Sequence, residues 1–257
     1  SGGRIQGRSD DSLASTLTHD IDYSEDPSGW TQVNGDGSHA NITISNDKVE
    51  AGTGTDANTT NGVEMGSAYV HYDLSSDLSD TAWVVDFDFK WIDGTNNVHV
   101  VPFALTETTT KVVSDATHTS IEFQSYNNNN NTYTVRFLCF DNASTRNFSV
   151  DYGTAIAEGT QYYIRLQRLN PTSCKLSVYT DSARTVLLGT AVTLTLPSTL
   201  NDLQYIQHCS SPSSSSSSTY GIWTIDNTKI YDGVTVAAIA KDKSSITNVP
   251  AETRYEE

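Results

Sequence analysis

Basic residues, sulfur and long apolar runs are all scarce in this chain. Its 257 residues hold 15 Lys and Arg against 31 Asp and Glu, a formal net charge of −16. A surface of that sign repels phosphate backbones and anionic headgroups, so neither nucleic acid nor membrane insertion is expected. The acidic residues are spread along the chain, as on a solvated surface, rather than gathered in a tail. No run of 18 apolar residues occurs, so no helical span is expected. Cys139, Cys174 and Cys209 form an odd set with no CxxC pair, which removes the usual zinc-ligand spacing. Each lies in a strand-like segment where a buried thiol is the default, and one bridged pair stays open. The chain opens Ser-Gly-Gly-Arg without Met or an apolar signal region, as in a processed form or one whose signal is excluded.

What is present is alternation. Hydrophobic residues make up 36% of the chain, enough for one sizeable core and too much for disorder. Over residues 82–92, Trp83, Val85, Phe87, Phe89 and Trp91 fall on one face and Val84, Asp86, Asp88 and Lys90 on the other, a half-buried strand. Tyr133, Val135, Phe137 and Cys139 alternate with Thr134, Arg136, Leu138 and Phe140, and two partly apolar faces point to a central strand. Val192, Leu194 and Leu196 alternate with threonines and stop at Pro197. Further strands are expected at 40–45, 67–73, 98–105, 119–125, 161–169, 174–180, 203–209 and 221–231. Gly, Asn, Asp, Ser and Pro clusters separate them. Only residues 237–243 favour a short helix. The runs 127–131 (Asn) and 210–219 (Ser-rich) bury nothing and are expected as exposed loop tips. Three regions follow: an amino-terminal arm over 1–15, a β domain over 16–235, and a carboxy-terminal arm or linker over 236–257.

Residues 162–197 (YYIRLQRLNPTSCKLSVYTDSARTVLLGTAVTLTLP) and 224–233 (TIDNTKIYDG) resemble concanavalin A-like lectin/glucanase sandwiches, also called laminin-G-like jelly rolls. In that group a YYIRL-x-R strand enters a hairpin that ends in a D-S-A-R-T turn, and an I-D-N-x-x-I-Y strand returns beside it. The opening at 19–37, with its GWTQ, is similar to the group's first strand. The resemblance covers about residues 16–235 and implies an all-β, antiparallel two-sheet β-sandwich (jelly roll) with extended arms. Residues 248–257 (NVPAETRYEE) resemble a segment of marine phage and virus structural proteins.

Glycan hydrolysis needs two carboxylates about 5–9.5 Å apart. The glucanase branch sets them as Glu-x-Asp-x-Glu or Glu-x-Asp-x-x-Glu, whereas this chain reads Asp86-Phe-Asp88-Phe-Lys90 without a glutamate. Glu122 is the one glutamate deep in a strand and has no acidic partner within four residues. His19, His39, His71, His99, His118 and His208 are scattered, and no G-x-S-x-G elbow occurs. The expectation is therefore that the chain is not an enzyme. Jelly rolls often clip their ends with calcium, and Asp20, Asp22 and Asp226 match such a clip by position. Asn34 and Asp36 form either a small oxygen site or, more simply, a tight turn. Sugar binding needs aromatic faces and planar polar groups, and Trp30, Tyr126, Asn128, Tyr133, Tyr220 and Trp223 are the candidates. Sequons at Asn41, Asn58, Asn130, Asn142 and Asn147 are glycan acceptors if the chain is secreted by a glycosylating cell.

The leading expectation is a non-catalytic carbohydrate-binding or adhesion module, extracellular, on a cell surface or on a virion, with glycans as partners. The alternative is a structural subunit of a virion decoration, fibre or surface filament. Such a subunit would form homo-oligomers through its terminal arms, for instance by adding a strand to a neighbour's sheet edge. Glycoside hydrolysis ranks below both.

Overall fold

The five alternating residues Trp83, Val85, Phe87, Phe89 and Trp91 stand on one face of a twelve-residue strand and are fully buried. Each such side chain contributes about 1.5–3 kcal/mol by leaving water. The computed structural model describes residues 17–21, 23, 29–33, 42–45, 48–51, 69–94, 99–110, 112, 118–127, 132–141, 146–196, 200–209 and 221–234. Both terminal arms, the Asn and Ser runs and the segment favouring a helix lie outside them, apart from Asn127.

Two antiparallel sheets form the sandwich. The first runs β14 (Val192–Thr195), β13 (Ser173–Tyr179), β12 (Gln161–Asn170), β6 (Trp83–Gly94), β16 (Gly221–Asp232), β4 (Lys48–Ala51) and β3 (Ile42–Ser45), with β1 (His19–Ile21) also on β16. The second runs β10 (Arg146–Asp151), β9 (Thr132–Asp141), β8 (Thr119–Asn127), β7 (His99–Thr106), β15 (Tyr205–Cys209), β5 (Tyr69–Asp73) and β2 (Trp30–Val33), with β11 (Ile156–Ala157) on β9. This is the all-β sandwich that the resemblance implied, where alternation alone left sandwich and barrel open. Periodicity did not mark β4, β10 or β11, which are short and lack a full alternating face. The I-D-N-x-x-I-Y strand does not return beside β12 as the resemblance implied. Strand β6 lies between them, paired along one edge with β12 and along the other with β16.

Of the register shifts in the sheets, two bear on the sites described below. Asn227 adopts a left-handed φ of 52°, and one extra residue enters β16 between its pairings at Asp226 and Lys229. The outer edge of β16 is thereby shared, β4 pairing before Asn227 and β1 after it. In β7, Val100 pairs with Ser125 and Phe103 with Phe123, so the strand carries an extra residue around Pro102. A bulge is where a central strand tolerates a residue without an N–H. Its consequence is that Val100 and Phe103 both join the core, while Val101 and Ala104 turn outward into a second small cluster with Val112 and Cys209.

All three cysteines are buried, and none is in a disulfide. Burial pushes the Cys139 thiol up to about 12 and raises that of Cys174 further, so neither is reactive in the folded chain. Arg168 is buried at one end of the sandwich, where it donates to the carbonyls of Leu200 at 2.9 Å and Pro171 at 3.1 Å.

Candidate functional site

Alternation also sets what faces outward. On the first sheet, Asp86 and Asp88 point away from the core and meet cations from neighbouring strands. Arg165 donates to both oxygens of Asp86 at 2.7 Å. Arg184 reaches Asp88 at 2.9 Å and lies 3.7 Å from Asp86. Asn227 donates its amide to the other oxygen of Asp88 at 3.0 Å. The D-S-A-R-T turn delivers Arg184: Asp181 accepts from the backbone of Thr185 and Val186, and Arg184 takes a φ of 55°. Burial raises the carboxyl of Asp88, and Asn227 and Arg184 work against that rise. The Asp-Phe-Asp pair is therefore the acidic half of a structural network.

The second sheet's outer face is different. On β8, Ser120, Glu122, Gln124 and Tyr126 share one face by alternation. Glu122 is buried, accepting from Ser120 at 2.9 Å and from Gln124 Nε2 at 2.7 Å, with His118 Nε2 3.4 Å from the same carboxylate. His118 Nδ1 and Gln124 Oε1 are buried without a hydrogen-bond partner. Thr108, Thr110 and Val112, from the chain between β7 and β8, lie against this sheet. Gln207 fastens them, accepting from the Val112 N–H at 3.0 Å and donating to Thr108 O at 2.7 Å and Thr110 O at 2.8 Å.

At the other end of β8 the face is open. Tyr126 has the His99 ring of β7 stacked at 5.0 Å and the Arg136 guanidinium of β9 at 4.8 Å. Arg136 donates to Asp151 of β10 at 2.6 Å, a bond that raises the guanidinium pKa further. The side chains of Arg136 and Asp151 are 21% and 49% exposed, so both meet solvent. A second aromatic group, Tyr69, His71 and Tyr205, lies toward the β5 side of the same sheet.

The expected sugar-binding residues separate by burial. Tyr126 is on the open face. Trp30, Tyr133 and Trp223 are core residues, which corrects their candidacy: each turns its ring between the sheets and offers no face to a ligand. Tyr133 presents only its hydroxyl, which donates to Glu158 at 2.8 Å. Tyr220 and Asn128 lie outside the described residues. So do Asp22, Asn34, Asp36 and the side chains of the sequon residues Asn41, Asn58, Asn130, Asn142 and Asn147. Asp20 pairs with Lys229 at 3.3 Å, and Asp226 accepts from the Asn227 N–H at 2.6 Å. Among the described residues no three potential metal ligands gather. The two chain ends are instead joined by backbone pairing of β1 with β16. Glu122, Gln124, Arg136 and Asp151 were not among the candidates, although the S-x-E-x-Q-x-Y alternation on β8 was readable.

Two antiparallel sheets packed face to face make an all-β sandwich, consistent with the concanavalin A-like resemblance of the sequence. The chain is similar in structure to the HCR/D W1238A mutant, at 8% identity and a TM-score of 0.52 over 91% of this chain and 52% of that one. It is also similar to alginate lyase Aly36B (14% identity, TM-score 0.49, 79% and 87% covered). A third similar structure is the metal-free Emp46p carbohydrate recognition domain (12% identity, TM-score 0.48, 86% and 95% covered). At these identities the likeness concerns the fold. No protein-family model matches the chain, and no curated protein matches it. The expectation that the chain is not an enzyme is overturned by these likenesses. Alginate and polysaccharide lyases recur among the similar structures, so this fold gives no ground for excluding catalysis. The similar structures described here give the phage and virion resemblance no support, and residues 248–257 lie outside the described ones.

Proposed function

We propose that the chain binds a carbohydrate, outside the cell, at the open end of the second sheet's outer face. The observation that carries this reading is the Tyr126–Arg136–Asp151–His99 group. It sets guanidinium donors, carboxylate acceptors and a phenol within a few ångströms on a rigid sheet, half-exposed, beside the unpartnered amide oxygen of Gln124. Sugar hydroxyls need that alternation of donors and acceptors, and a site on strands holds it more firmly than one on loops. The His99 ring and the Arg136 guanidinium already pack on the Tyr126 ring, so its hydroxyl, 3.4 Å from Asp151 and from Arg136, is the part that meets the ligand. A glycan array followed by titration calorimetry tests the reading. Saturable binding to one glycan class, at least tenfold weaker in Arg136→Ala, is expected. No binding to any class removes it.

A second reading, cleavage of the bound glycan, is favoured by the His118–Glu122 pair. Ser120 and Gln124 donate to the Glu122 carboxylate, and His118 Nε2 lies 3.4 Å from it. With the proton on Nε2 the lone pair sits on Nδ1, the atom left without a partner, and is suited to general-base work. Because both side chains are buried, a glycan reaches it only once the chain around them moves aside. Release of new chain ends from a bound polysaccharide, lost in His118→Ala while binding persists, supports cleavage. A glycan that binds and is never cut rules it out.

A further inference from the structure

His208 points from β15 into the space between the sheets and is fully buried. Its Nδ1 donates to the Pro102 carbonyl at 2.6 Å, the carbonyl at the β7 bulge. Its Nε2 lies 3.3 Å from the Tyr23 hydroxyl, which in turn lies 2.8 Å from Thr228 Oγ1 on β16. This file of polar atoms crosses the sandwich from one sheet to the other inside an aromatic shell. Trp30 of β2 stacks on the imidazole at 5.1 Å, Phe103 of β7 meets it at 5.8 Å, and Trp223 of β16 at 6.4 Å.

Among the described residues, none of the elements packed on the ring turns a carboxylate toward it: β2, β7 and β16 present Trp30, Phe103 and Trp223, and Tyr23 is the titratable group in contact. Asp226 acts on the Tyr23 hydroxyl, not on the imidazole. A positive charge on His208 is therefore desolvated and has no anion beside it among the described residues, and burial holds its pKa down at about 4. The shell's thinnest wall is the amino-terminal edge. There β1 is three residues, β2 is four, and Tyr23 and Trp30 close directly over the ring. The other walls are longer strands paired along most of their length.

We infer that His208 and its aromatic shell form an acid-sensitive latch, and that protonation of this ring releases β1, Tyr23 and β2 from the sandwich before the long strands open. Above about pH 6.5 the imidazole is neutral whether the edge is docked or released, and the latch is fully closed. As pH falls from there toward 4, the released state takes up a proton that the docked state refuses, so the docking free energy is lost. Losing the edge uncovers Trp30 and the unpaired side of β5, next to the second sheet's outer face.

Hydrogen exchange on the whole chain, corrected for the intrinsic pH dependence, tests the latch. Between pH 6.5 and 4.5 the opening of β1 and β2 should become more frequent by roughly tenfold per pH unit, while β6 and β12 hold their protection. In His208→Gln, which stays neutral throughout, the two edges should show no such slope. Should that variant fail to fold, the titration of the His208 ring protons in the natural chain must coincide with loss of β2 protection. Unchanged protection of β1 and β2 at pH 4.5, or equal loss in all strands at once, overturns the inference.

Discussion

The first sheet's outer face carries Asp86, Asp88, Arg165, Arg184 and Asn227, and each of these side chains has a partner of complementary charge or hydrogen-bonding sense. The second sheet's outer face carries Glu122, His118, Gln124, Arg136 and Asp151, and there two buried atoms are left without a partner. Both faces are polar, both sit on rigid strands, and both are crossed by a connection that brings an essential side chain or carbonyl. On the first, the D-S-A-R-T turn completes the network. On the second, the strap from β7 to β8 lies against the sheet and leaves Tyr126 and Arg136 open. Completed polar networks stabilise and specify a fold, whereas incomplete ones on a rigid frame are where ligands find their partners. The contrast gives the first face a structural role and is the ground for proposing the second as the binding face.

The comparison breaks most readily at Asp86. Replacing it with alanine strands Arg165 at the sheet surface, nine-tenths buried, and should cost about 3–5 kcal/mol in denaturant unfolding while leaving glycan binding intact. A loss of binding as well would mean that the two faces are not independent. Gln207→Ala comes next. It leaves one N–H and two carbonyls of the strap without partners, and a cost of about 1–3 kcal/mol is expected, together with faster exchange at Val112.

Calcium is a smaller effect. Were Asp20, Asp22 and Asp226 to hold it, adding the ion would raise the melting temperature by about 2–4 °C for each kcal/mol of binding energy, and EDTA would reverse the rise. An unchanged melting curve discards the clip. Arg136→Ala should change stability least, by less than about 1 kcal/mol, because its partner Asp151 is half-exposed. The sharp form of the comparison requires that this smallest stability change carry the largest loss of glycan affinity.

Much of this architecture was legible in the amino-acid order. The inward face of β6 was named residue by residue, since period-two alternation on a half-buried strand leaves little choice of register, whereas the two partly apolar faces of β9 left its inward side open. Asp86 and Asp88 were set aside as catalytic for want of a glutamate, while their pairing with Arg165 and Arg184, far along the chain, was not read from the sequence. The site was less legible. Rings at Trp30, Tyr133 and Trp223 resemble sugar platforms as readily as core residues, because an aromatic side chain carries no mark of the side on which its strand is covered. Glu122 was noticed and dismissed for lacking an acidic neighbour, when its partners were Ser120, Gln124 and His118 on the same face.

The sequence by itself determined that the chain is a sandwich of alternating strands with an acidic surface, because burial of one face in two is a local rule that short segments satisfy alone. Tertiary structure alone decided the order of the strands, the bulge that seats Pro102 and receives His208, and which outer face is closed. Those depend on residues far apart in the chain, such as Asp88 with Asn227, Gln207 with Thr108, and Tyr23 with His208, whose meeting no local pattern encodes.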